Sequence, residues 1–419
     1  MPPISKSLTD IDTLLHQGQR MEAMRRLCEI KMRQIPDDER LRFAQIARKL
    51  GLPLMALHGL YPLMHPGRRK KREPTPWECA EYAGSLVLLG EAREALEIAR
   101  SLDAENFPEV SLLTAFAQFT YWQYAEAIPN LEKYLTNASL TPFQKLMGQV
   151  NLAAAFVYER RPDSLSLLQQ VQASADQQGY VMLSATLLTM QSEAFLSDRN
   201  FTSARDVLKQ AKTLLVPSQL MENLLIDKWI ALTDLYVNPN RSSVRHGIID
   251  VRKRATQLRH WETLRSCDYH EAIARKDGEL LPRTYFGSPF PSFRKRLVEE
   301  FGAVIDKTAP YEWVLGSDPA GPVVDFSDVK GSLPQRACRI LQTDFYCPMR
   351  LAPFYFHLRP ERTFDPIAAP KAVHDVILRM KQWFRKQDLP LDVEEKSRCY
   401  RLIPKESCVL RVRLDVSNL

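Results

Sequence analysis

The feature that most constrains this chain is a recurrence. A break in a helical apolar pattern, followed by a small residue early in the next helix, appears in HQGQRMEA (ending at Ala23), KLGLPLMA (Ala56), LGEAREA (Ala95), WQYAEA (Ala127), ERRPDS (Ser164), DRNFTSA (Ala204) and NPNRSS (Ser243). Successive separations are 33, 39, 32, 37, 40 and 39 residues. That period belongs to solenoids of helix pairs, in which one pair cannot bury its apolar face alone and stacks on its neighbours. The small residue has a steric reason: the two helices of a hairpin approach closely there, and a large side chain would push them apart. Between the breaks the apolar residues keep helical spacing, as Leu86, Leu89, Ala92, Ala95 and Leu96 do in SLVLLGEAREALEIAR. The reading is an array of six to seven helical hairpins over residues 8–275.

At 419 residues the chain exceeds what one core supports. Its 45% apolar and 26% charged residues suit a chain with buried cores. No run approaches the roughly 20 uninterrupted apolar residues of a membrane span, and MPPISKSLTD lacks the layout of a secretory signal. A cytoplasmic protein with no membrane partner is expected. The seven cysteines are scattered without a CxxC pair, which predicts reduced thiols, no metal site and no cofactor. Neither a phosphate-cradling glycine loop, an HExxH motif nor a nucleophile elbow is present, so no catalytic residues are expected and the chain reads as a non-enzyme. DYHEA (Asp268 to Ala272) places a histidine among carboxylates, but a lone cluster of this kind reads as a packed or surface histidine.

Charge divides the chain more sharply than composition does. From Gly331 to Leu419 there are sixteen Lys and Arg against ten Asp and Glu, a net of +6 out of +7 for the whole protein. A basic module attached to a nearly neutral one is the electrostatic footprint of polyanion binding. A second basic block, Arg68, Arg69, Lys70, Lys71 and Arg72, lies between prolines and reads as an exposed loop, with nucleic acid or an acidic partner as its candidate contact. Residues 276–305 are rich in Gly, Pro and aromatics and read as a linker with a connecting helix. Tyr285, Phe286, Phe290 and Phe293 would be costly to leave in water, so the linker is expected to dock on its neighbours.

Residues 306–419 carry short strand-like runs, then three helices (LPQRACRILQTDF, RLAPFYFHLR, KAVHDVILRMKQWFRKQ) and a hairpin (LDVEEKSRCYRLIP). In the third helix Val373, Ile377, Met380 and Phe384 form one apolar stripe. Lys371, His374, Leu378, Arg379, Gln382 and Arg385 lie roughly opposite, with Lys381 flanking. That division is what a helix in the major groove needs, one side packed on its domain and the other offering cations to phosphates and base edges.

The hairpin array resembles the tetratricopeptide repeat family on Trp122, Tyr124 and Ala127, and on Phe201 and Ala204. Such a scaffold implies a groove for a protein or peptide partner. The C-terminal segment resembles the effector domain of the OmpR/PhoB response-regulator family. The recognition helix supplies Lys371, Ala372, Val373, Ile377, Arg379, Met380 and Lys381; the wing supplies Lys396, Ser397, Arg398, Cys399, Tyr400 and Arg401, with Ser397 and Cys399 where the family has glycine. The resemblance implies a mainly α protein ending in an α+β winged helix-turn-helix. It also implies a bacterial DNA-binding transcription regulator with double-stranded DNA as partner, contacts through Lys396, Ser397, Arg398 and Arg401 as well as the helix, and RNA polymerase as a further partner. The competing expectation is an interaction scaffold whose winged helix binds protein and not DNA.

Overall fold

A computed structural model describes residues 4–17, 19–66, 72–103, 105, 107–326 and 332–413. The chain is mainly helical, with a small sheet region near its C-terminal end. Seven antiparallel hairpins come first: α1 (Ile4–His16) with α2 (Arg20–Glu29), α3 (Arg40–Lys49) with α4 (Pro53–Met64), α5 (Pro76–Leu88) with α6 (Ala92–Arg100), α7 (Glu109–Thr120) with α8 (Tyr124–Leu135), α9 (Pro142–Tyr158) with α10 (Ser164–Gln177), α11 (Val181–Ser197) with α12 (Phe201–Thr213), and α13 (Leu220–Val237) with α14 (Ser242–Leu258). Three further helices follow: α15 (Trp261–Arg275), α16 (Leu280–Phe286) and α17 (Pro291–Phe301).

Local chemistry explains where several helices start. Thr75 and Thr141 each form a capping box, with Glu78 and Gln144 respectively, and a proline occupies the first turn of α5 and α9. Ala23, Ala56, Ala95, Ala127 and Ala204 are fully buried in the second helix of their hairpins, and Ser164 is buried as well. Ser243 departs from the expectation: it is exposed, and Val244 beside it is the buried residue. The last hairpin therefore meets its partner through a larger side chain.

The C-terminal unit contains β1 (Tyr311–Leu315), β2 (Val323–Asp325), α18 (Leu333–Leu341), β3 (Met349–Arg350), α19 (Leu351–Leu358), α20 (Ala368–Lys386), β4 (Leu391–Lys396), β5 (Cys399–Pro404) and β6 (Cys408–Val412). One sheet has the order β1-β6-β2, with β6 antiparallel to β1 and parallel to β2. The other is β3-β5-β4, antiparallel throughout. The sequence reading did not assign β6, yet that strand closes the first sheet.

This unit does not hang from the array. Apolar side chains of α1 to α7 and of the C-terminal unit form one continuous core. Polar contacts reinforce it: the Tyr82 hydroxyl donates to the Phe364 carbonyl at 3.3 Å, Glu94 accepts from the Phe364 N–H at 2.7 Å, and Arg350 donates to the Leu88 carbonyl at 3.0 Å. A second dock lies at α15, where Arg265 pairs with Asp344 at 2.5 Å and the Tyr346 hydroxyl donates to Asp268 at 2.6 Å.

The expected linker is folded in between. Leu281, Tyr285, Phe286 and Phe293 are buried. Helix α17 crosses back onto the array, where Ser292 donates to the Trp122 carbonyl at 2.6 Å and Glu300 pairs with Arg160 at 2.5 Å.

Candidate nucleic-acid interface

Helix α20 owes its position to its apolar stripe. Val373, Val376, Ile377, Met380 and Phe384 are buried against α18 and α19. Lys371, His374, Leu378, Arg379, Gln382 and Arg385 are all exposed. Lys371, His374, Leu378, Gln382 and Arg385 share one face because they recur at intervals of three or four residues, and Arg379, next to Leu378, lies at the margin of that face. Leu378 is 46% exposed, so an apolar side chain stands in the middle of a polar face. Asp375 is exposed between His374 and Leu378 and lowers the local positive charge.

Lys381 stands apart from this face. It is half-buried and pairs with Asp392 on β4 at 3.3 Å, and that ammonium helps hold the Asp392 carboxyl below its ordinary range, against the opposing effect of burial. Farther along the same strand, Glu395 lies 3.8 Å from Nδ1 of His374. Acid side chains of β4 thus border the basic face of α20.

The hairpin between β4 and β5 turns through only Ser397 and Arg398, since Lys396 faces Cys399 directly. Both turn residues have positive φ, 55° and 58°. A two-residue turn matched to the strand twist needs this conformation and is normally given to Asn and Gly. Here the Arg398 carbonyl accepts from the Leu351 N–H at 3.0 Å and pins the turn to the start of α19. Cys399 lies in the strand, so the wing forms without a glycine at either position. Tyr400 is buried beneath it and packs on Phe354.

The candidate wing residues separate into two groups. Lys396 and Arg398 are exposed and carry no ion pair with another described residue. Ser397 instead accepts from Arg259 of the array at 3.0 Å. Arg401 pairs with Glu394 at 2.6 Å and stacks over Trp261, with 5.3 Å between guanidinium carbon and ring centroid. One edge of the wing therefore rests on the hairpin array, through residues that sequence reading did not single out. Neither Arg259 nor Trp261 stands out in a motif; only the fold brings them to the wing.

Of the second basic block, Arg68 to Lys71 lie outside the described residues. Arg72 is paired with Glu78 at 2.5 Å, at the start of α5. Its guanidinium serves the capping carboxylate, a structural role that accounts for its charge. His270 of the DYHEA segment is partly buried beside Tyr236, 2.9 Å from the hydroxyl, and burial pushes its pKa down to about 3. It is a neutral histidine packed edge-on against Trp229, Tyr236 and Tyr269. Among the described residues no group of three or more His, Cys, Asp or Glu is placed to hold a metal ion. All seven cysteines are unpaired, and no helix is long and apolar enough to cross a membrane among the described residues.

No protein-family model matches the chain, and no curated protein sequence matches it.

Proposed function

We propose that this protein is a DNA-binding transcription regulator of the bacterial cytoplasm. In this reading the C-terminal unit is a winged helix-turn-helix and the hairpin array a tetratricopeptide-like solenoid that senses a partner. One observation carries the reading. Lys371, His374, Arg379, Gln382 and Arg385 share a single solvent-facing side of α20, while the other side is fixed in the core. Donors on a rigid, pre-positioned helix are suited to phosphates and base edges, and Lys396 and Arg398 extend the surface from the wing.

The test uses the full chain. Genomic fragments retained by the purified protein are sequenced, and binding to the recovered site is measured against salt. Phosphate contacts release counterions, so log K should fall linearly with log salt. Arg379→Ala should erode discrimination between sites by roughly 1 to 3 kcal/mol, whereas Lys396→Ala should weaken all sequences about equally and reduce the salt slope by about one. Loss of neither discrimination nor affinity in both variants would remove α20 and the wing as the reading surface.

A second reading is favoured by the occupied edge of the wing. Because Ser397 and Arg401 already contact the array, the same surface suits protein contact, and the chain would then be a scaffold that binds no DNA. Absence of any duplex binding at low salt supports that alternative.

A further inference from the structure

A cavity of about 1830 Å³ lies between the hairpin array and the C-terminal unit. Both contribute to its walls. The array supplies the α7–α8 turn at Trp122, Glu193 on α11 and Lys228 on α13; α17 adds Arg296, and the C-terminal unit adds Arg339 on α18. Eleven of the lining residues are Lys or Arg and three are Asp or Glu, against 57 and 50 in the whole chain. Twelve are Phe, Tyr or Trp. Like charges gathered in a partly enclosed, low-dielectric space repel one another and attract an anion.

Some of these cations are already balanced, as Arg160 is by Glu300. Lys228, Arg296 and Arg339 have no hydrogen bond or ion pair with another described residue. Lys228 decides the matter. It is only 8% exposed, and its ammonium lies 4.0 Å from the centroid of the Trp229 ring. Burial holds its pKa below the ordinary lysine value, against the opposing field of Glu193. Its Nζ is not sealed from solvent but opens on the cavity, so with no protein acceptor the ammonium is left to water or to an anion that enters there.

The aromatic side chains narrow the chemistry. Tyr124 and Tyr158 stack at 4.0 Å between centroids, and Trp122 stands edge-on to both. Trp122 also has φ of 59°, so a bulky ring is held at a turn in a conformation that favours glycine. Cations brought to one cavity by α13, α17 and α18 suit several negative charges spread along one molecule, and the aromatic surface suits a planar ring. The cavity also exceeds the roughly 300 to 1,000 Å³ that encloses a drug-sized ligand.

We infer that this cavity binds a nucleoside polyphosphate, its phosphates held by Lys228, Arg296 and Arg339 and its base placed against the Trp122, Tyr124 and Tyr158 rings. Such a ligand touches the array and the C-terminal unit together and fixes one to the other. As a description of what the array senses, the inference rests on the regulator reading. Binding is measured without DNA, so failure of the two can be told apart.

The experiment titrates the full chain with ATP and with GTP by calorimetry, with adenosine, inorganic triphosphate and hexaglutamate as comparison probes. At least one nucleoside triphosphate should bind in the micromolar range and raise Tm. Triphosphate alone should bind at least about tenfold more weakly, and adenosine should not register. Lys228→Met and Arg339→Gln should each weaken binding about tenfold, the loss of one charge-assisted contact. Arg339 is half-exposed and unpaired, so its variant should keep the Tm of the ligand-free protein and separates binding from folding. The proposal is overturned if neither nucleotide binds at about 1 mM, if both variants bind as the parent does, or if hexaglutamate or triphosphate binds as tightly as the nucleotide.

Discussion

Arg265 is the most consequential single residue for the junction between array and C-terminal unit. It is 0% exposed, pairs with Asp344 and Glu262, and its Nε has no hydrogen-bond partner. Burial works against its charge, but Asp344 and Glu262 more than offset that cost and raise its pKa. A buried pair is vulnerable to loss of one member, which strands the other charge. Arg265→Met should therefore destabilise the protein by about 3 to 5 kcal/mol in urea denaturation. Asp344→Asn in that background should recover part of the loss, because Asn retains the acceptor used by the Tyr346 and Cys347 N–H groups. Strictly additive effects would show that the two charges do not depend on each other. Glu94 makes the same junction sensitive to pH. Burial raises its pKa to about 7, although the Phe364 N–H opposes the shift by favouring the carboxylate. The folded chain then keeps a proton that the unfolded chain releases above the ordinary glutamate value of 4.5. Its contribution to stability is full below about pH 4.5 and is lost as pH rises to about 7. Glu94→Gln keeps an acceptor for Phe364 and removes this titration, so its stability relative to the parent should grow across that window, by on the order of 2 to 3 kcal/mol. His270 drives stability in the opposite direction on acidification, being held neutral; comparing variant with parent cancels it. A constant difference between pH 4.5 and 7.5 would contradict the assignment to Glu94.

At the scale of elements, the turns inside five of the hairpins share one backbone device. Gly51, Gly90, Trp122, Arg160 and Arg199 each have positive φ between the two helices of a hairpin. Glycine adopts that conformation freely, whereas another residue is strained there by about 1 to 2 kcal/mol. Arg199 is exposed, and Arg199→Gly should stabilise the chain by about 1 kcal/mol, read as a higher Tm. Trp122→Gly relieves the same strain but deletes the ring that packs on Tyr158, Phe290 and Phe293. It should lower Tm, and its opposite sign separates backbone strain from side-chain packing. The wing turn combines the two cases. Arg398→Gly should stabilise the β4–β5 hairpin by relieving its positive φ, while weakening DNA binding if Arg398 meets phosphate, so Tm and affinity should move in opposite directions.

For the whole molecule, the shared core joining α1 to α7 with the C-terminal unit means that the two do not behave as beads on a string. Arg283 lies in α16 between buried Leu281 and buried Tyr285. Trypsin should cleave after it only when the structure opens, so the denaturant midpoint for cleavage should match that for loss of helix. Rapid cutting in native buffer, with both flanking parts intact, would show a loose tether instead. Helical content, the rhythm of hairpins, the buried stripe of α20 and the exposed row from Lys371 to Arg385 were legible in the chain, because helical spacing is a relation among residues three and four apart. The expectation of a docked linker came equally from local composition, since clustered aromatics seek cover wherever they are. Strand β6 escaped notice because its partners are nearly 100 residues upstream, at Tyr311 to Leu315. The tertiary structure alone decided that Arg401 lies against Trp261, that Arg265 is paired with Asp344, and that Lys228 and Arg339 face one cavity. Burial, pairing and enclosure depend on residues far apart in sequence, and no local period records which of them will meet.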